Sequence, residues 1–103
     1  MTQINLFKPK HKSGPAESFD TLLKCRNVLI ERIQSPAGTR SQLLIQDQDE
    51  WVCLLQGNAK LEMDKALIKL TAGEALFIPA GTPHRVVDTS EEPTCLWLAV
   101  HID

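Results

Sequence analysis

Apolar and polar residues alternate along this chain in short runs, and turn-forming residues interrupt them about every 8–12 positions. Phe19–Leu23 and Val28–Ile33 predict two strands ahead of the turn cluster Ser35-Pro36-Ala37-Gly38. Ser41–Gln46 reads as extended until Asp47-Gln48-Asp49 breaks it, and Trp51–Gln56 is a strong strand closed by Gly57-Asn58. In AKLEMDKALIKL, Ala59, Leu61 and Met63 share one face while Lys60 and Glu62 share the other, which predicts a hairpin bending at Asp64-Lys65. Ala75–Ile78, Arg85–Val87 and Thr94–Ile102 complete the set, with Pro79, Gly81, Pro83 and Pro93 in the turns. Pro and Gly recur too often after residue 35 for a long helix. Near residues 15–22 a short helical turn is the alternative to a first strand. The pattern as a whole predicts an all-β sandwich or barrel.

Two strands carry more than simple alternation. WVCLLQ is apolar on both faces, Trp51, Cys53 and Leu55 on one and Val52 and Leu54 on the other, so both faces need cover. That cover is either the N-terminal segment or another subunit, and we expect a homodimer interface near this strand with Trp51 as an anchor. The last strand gives an aliphatic set, Leu96, Leu98, Val100 and Ile102, which reads as core. Its other set, Cys95, Trp97, Ala99 and His101, faces a second, mixed environment. Should that environment be a cavity, Trp97 and His101 line it; otherwise His101 is a surface or interface residue.

Composition narrows the classes. The chain has 103 residues, 43% hydrophobic and 23% charged, with a formal net charge of −2. Such a chain can bury one core, and it lacks the basic excess of a nucleic-acid module. No run is long and apolar enough for a membrane span, and MTQINLFKPKHKSGP has no apolar core of a signal peptide, so the expected location is cytoplasmic. Cys25, Cys53 and Cys95 are an odd, widely spaced set, best read as small hydrophobes in strands. Residues 1–16, with Lys8, Lys10, His11 and Lys12, read as a flexible polar arm, and residues 17–103 as a single domain. No nucleophile elbow, phosphate-cradling glycine loop or H-E-x-x-H stands in the sequence.

Residues 73–84 read GEALFIPAGTPH, a G-x5-P-x-G-x2-H frame. At average Gly and Pro frequencies its Gly-Pro-Gly part arises by chance roughly once in 4,000 starts. Gly73 permits a turn, Pro79 and Gly81 bend the chain, and His84 opens the next strand. The segment resembles the second motif of the cupin superfamily. The end of that family's first motif is matched by Glu50 and, six residues on, Gly57, whereas Gly38 does not keep the spacing of its first glycine. The resemblance extends over about residues 19–102 and implies a double-stranded β-helix, the jelly-roll barrel.

The departures from the family pattern decide what the resemblance implies about chemistry. Counting back from Glu50, the two family histidines fall on Leu44 and Gln46. Of the four usual ligands only Glu50 and His84 match, with Gln46 able to offer an amide oxygen. Period-2 geometry puts Leu44 and Gln46 on one face, pointing inward with the family's ligands. The implied metal set is Gln46, Glu50 and His84, for a divalent cation such as Mn, Fe, Ni or Zn; an amide in place of imidazole weakens it. Leu44, Trp97 and His101 are the further pocket candidates. Arg85 should point outward, being next to an inward His84. Two functions follow: a metal-dependent enzyme acting on a small polar metabolite, dioxygenase- or isomerase-like, or a non-catalytic barrel that binds or senses a small molecule without metal.

Overall fold

Eight strands form where the alternation placed them. A computed structural model describes residues 3–11 and 14–103; Lys12 of the basic arm lies outside the described residues. The strands are β1 (Ser18–Cys25), β2 (Val28–Ser35), β3 (Asp49–Gln56), β4 (Asn58–Met63), β5 (Ala66–Thr71), β6 (Ala75–Ile78), β7 (His84–Thr89) and β8 (Cys95–Ile102). They build a five-stranded sheet in the order β1-β2-β8-β3-β6 and a three-stranded sheet in the order β5-β4-β7, every pairing antiparallel. This is the expected all-β jelly-roll barrel. The helical alternative at residues 15–22 is not taken, because Phe19 and its neighbours pair with β2. Among the described residues no helix is long and apolar enough to cross a membrane.

The β4–β5 hairpin bends at Asp64-Lys65, both at positive φ (50° and 70°), as a two-residue turn matched to strand twist requires. Ser41–Gln46 forms no long strand. It runs as a strap along β7, held by reciprocal backbone bonds between Leu44 and His84 at 2.8 and 3.0 Å and by Ser41 N–H to the Val86 carbonyl at 2.9 Å.

The core lies between the sheets and gathers Val52 and Leu54 of β3, Ala59 and Leu61 of β4, Leu70, Ile78, Cys95, Trp97 and Ala99. The expectation for β8 is therefore reversed. Its mixed set faces inward, and Leu98, Val100 and Ile102 lie half-buried on the outer face. The reason is register: Trp97 and Ala99 oppose the inward Leu54 and Val52, whereas Val100 opposes Trp51. The cysteines are free and stand in strands, exposed at 25, half-buried at 53 and buried at 95.

Part of the outer face is covered by the arm. Buried Arg32 donates to the Asn5 carbonyl at 2.9 Å and pairs with Asp20 at 2.6 Å, and Gln34 donates to the His11 carbonyl at 2.9 Å. These contacts lie over β2. Two strands away, Trp51 remains 43% exposed, and its cross-strand partner Phe77 on the edge strand β6 is 50% exposed.

Candidate functional site

The site begins with the turn that GEALFIPAGTPH makes. Ala80 N–H donates to the Asp49 carboxylate at 2.8 Å and Gly81 N–H to the Gln46 carbonyl at 2.8 Å. The turn thus ties the strap and the start of β3 to the segment that delivers His84. Asp49, from the run that breaks the extended segment, serves this turn. Glu50 enters from β3 and is buried.

Inside the barrel lies a cavity of about 140 Å³. All six candidates from the sequence line it: Gln46, Glu50, His84, Leu44, Trp97 and His101. His84 and Glu50 come from opposite sheets, with Nε2 3.7 Å from Oε1. The His84 Nδ1 lies 2.9 Å from the Thr82 carbonyl. A carbonyl only accepts, so Nδ1 carries a proton, and Nε2 is the nitrogen turned toward Glu50. Burial pushes the Glu50 carboxyl above the ordinary glutamate value; His101 and then His84 oppose that rise, and Glu31 adds to it. Gln46 Oε1 is buried without a hydrogen-bond partner.

Sequence reasoning missed the rest of the polar wall. Glu31 of β2 reaches diagonally to His101 on the neighbouring β8, Oε1 to Nε2 at 3.0 Å, and His101 opposes Glu50 on β3. Glu31, His101 and Glu50 thus form one inward row over three strands, with His84 facing it from the other sheet. With Nε2 donating to Glu31, the buried His101 Nδ1 has no partner. Glu17 lines the cavity too, fixed by a relay in which Trp97 Nε1–H donates to Ser35 Oγ at 3.0 Å and Ser35 donates to Glu17 at 2.7 Å. Arg85, expected to point outward, pairs with Glu62 at 3.2 Å but also contributes to the cavity wall. Nothing local marks Glu17 or Glu31 as functional; only the pairing of β2 with β1 and β8 brings them inward.

Comparison with known proteins agrees with this architecture. The family model described as cupin domain matches residues 32–101, and the chain belongs to that family. Among solved structures, a protein of Ralstonia eutropha JMP134 named as a putative mannose-6-phosphate isomerase is 36% identical, covers 100% of this chain and 99% of its own, and superposes with a TM-score of 0.88. KdgF from a Halomonas species shares the fold at 15% identity, over 97% of this chain and 91% of its own, TM-score 0.79. An RmlC-like cupin of Desulfovibrio desulfuricans does so at 18% identity, over 98% and 96%, TM-score 0.78. Comparison with curated proteins finds no match. Among the described residues, no three His, Cys, Asp or Glu side chains come together in a metal-holding group.

Proposed function

We propose that the cavity is a small-molecule site in which Glu50 and His84 move a proton on a polar metabolite, an isomerase-like reaction. The observation that carries this reading is the buried Glu50 carboxyl, raised above its ordinary value and set 3.7 Å from Nε2 of His84. A carboxyl whose proton is held more tightly than usual accepts and returns protons nearer neutral pH. His84, oriented by Thr82, sets its Nε2 beside that carboxyl as the second group that handles the substrate's proton. The 36% identity to a protein named for an isomerase supports the reaction type, and the substrate is not carried over with it.

The donor set also fits a hard divalent cation. His84 Nε2, the Glu50 carboxylate and the unpartnered Gln46 Oε1 would hold it, weakly because one donor is an amide. A cation bound there supplies Lewis-acid polarisation of a substrate oxygen. The binding-module reading keeps one specific support, the Leu44 and Gln46 that stand where the family carries histidine.

The test is hydrogen exchange into α-hydroxy carbonyl compounds in D2O, followed by NMR, with metal content measured on protein purified without added metal. Wild type is expected to exchange the proton beside the carbonyl, and Glu50→Gln to lose about 100-fold or more. A metabolite that stabilises the protein with no exchange at any carbon would replace the enzyme reading by the binding one. We also propose that the chain works as a homodimer through the face bearing Trp51 and Phe77. The arm contacts seen lie over β2, so this second apolar face of β3 is left for another copy.

A further inference from the structure

The polar end of the cavity is built of acceptors. Glu17, Glu31 and Glu50 each contribute a carboxylate to its wall from three different segments. Gln46 Oε1 is buried and unpartnered, and so is Nδ1 of His101, a residue only 7% exposed. His101 Nε2 is engaged by Glu31 and His84 Nδ1 by the Thr82 carbonyl, so one ring nitrogen of each histidine is left toward the cavity. Among the described residues that line the cavity, the one fixed cation is Arg85, and its charge is engaged by Glu62 at 3.2 Å. Glu62 takes the Nε–Nη2 side of that guanidinium, and against it the wall sets three carboxylates, so anionic oxygens entering here meet net like charge. A group that only donates is the complement.

The remaining wall is apolar. Trp97, Ile33 and Leu61 line the interior, and Phe19 and Leu44, 60% and 40% exposed, line it from the solvent side. These surfaces suit hydrocarbon and, at the aromatic rings, a cation. We infer that the cavity takes a small amphipathic amine, ammonium end toward Glu31, His101 and Glu50, apolar body toward Phe19 and Leu44, and rejects phosphorylated and carboxylate-bearing metabolites. This rests on the reading of the cavity as a small-molecule site and names the ligand class that the site selects. The name carried by the Ralstonia relative implies a phosphorylated sugar, which this wall does not accommodate.

A divalent cation would satisfy the same acceptors, so the experiment separates the two. The 103-residue chain, as purified and after chelation, is titrated by calorimetry and thermal shift with hexylamine, 1-hexanol, hexanoate, mannose 6-phosphate and Mn²⁺. Hexylamine is expected to bind and raise the Tm, hexanol to bind at least about tenfold more weakly, and hexanoate and mannose 6-phosphate to give no shift. Leu44→Trp, which narrows the mouth at a half-exposed position, and Glu31→Gln should each weaken hexylamine at least about fivefold with an unchanged circular dichroism spectrum. Hexanoate or mannose 6-phosphate binding as tightly as hexylamine, and weakened by Leu44→Trp, would overturn the amine inference while leaving the cavity a small-molecule site. Stabilisation by Mn²⁺ alone would assign the acceptors to an ion and overturn it too. Hexylamine binding that Leu44→Trp leaves untouched would overturn both the inference and the reading of the cavity as the site.

Discussion

Glu31 and His101 meet inside the barrel with Oε1 and Nε2 3.0 Å apart, and His101 stands directly opposite Glu50 on the neighbouring strand. The contact orients a buried imidazole whose other nitrogen has no partner. Removing Glu31 therefore leaves both ring nitrogens of His101 unsatisfied. Glu31→Ala is expected to cost about 1–3 kcal/mol, read as a lower urea midpoint at unchanged slope, with Glu31→Gln recovering most of the loss. An Ala variant as stable as wild type would show that the pair only fills space.

Glu50 makes stability depend on pH. Burial raises its folded-state pKa above the ordinary 4.5, so the folded protein holds this proton more tightly than the unfolded chain does. The contribution is complete below pH 4.5 and is lost as pH climbs through the raised value. Glu50→Gln has no charge to desolvate. In chelated protein its stability relative to wild type should grow as pH rises above 4.5 and then level off, measured by chemical denaturation from acid to mildly alkaline pH. A difference that does not change with pH would remove the desolvated carboxyl from the account.

Gly57 is held at φ +93° with its back against β8. A Cβ there would lie 2.9 Å from both Cys95 Sγ and Ser90 Oγ and 3.1 Å from the Cys95 Cα. The backbone cannot yield, because Cys95 Sγ donates to the Asn58 carbonyl and Asn58 N–H donates to Ser90 Oγ. Gly57→Ala is expected to cost about 2–4 kcal/mol, from left-handed strain plus overpacking. Gly73 has positive φ but open space around it, so Gly73→Ala should cost only the strain, about 1–2 kcal/mol. Thermal unfolding of the two variants side by side checks the difference.

The fold was legible because its signals are local. Short apolar and alternating runs between turn residues located the strands, and the Pro79-Ala80-Gly81 bend announced itself through residues that fix backbone angles. His84, Glu50 and Gln46 were found because the second motif and the Glu50–Gly57 spacing anchor a count along the chain. Glu31 and Glu17 were not, since their inward position depends on the register of β2 against β1 and β8, which no short-range pattern encodes. The same long-range pairing reversed the reading of β8. An aliphatic set and a mixed set look alike until Trp97 is seen donating to Ser35 and His101 meeting Glu31 on the inner side.

That reversal leaves apolar side chains on the outer face, and they fall in one row. Ile30 opposes Val100, Val100 opposes Trp51, and Trp51 opposes Phe77 on the edge strand. A half-exposed Trp at the centre of such a row is the kind of anchor that carries association energy. If a second copy covers it, Trp51→Lys should weaken the dimer by about 2 kcal/mol or more, roughly thirtyfold in Kd. Phe77→Lys should do the same. Neither residue belongs to the core cluster, so both variants should keep the wild-type circular dichroism spectrum. Light scattering decides the matter: wild type at twice the chain mass with both variants near the chain mass supports the interface. Wild type at the chain mass at tens of micromolar rules it out and leaves the Trp51–Phe77 row to another partner.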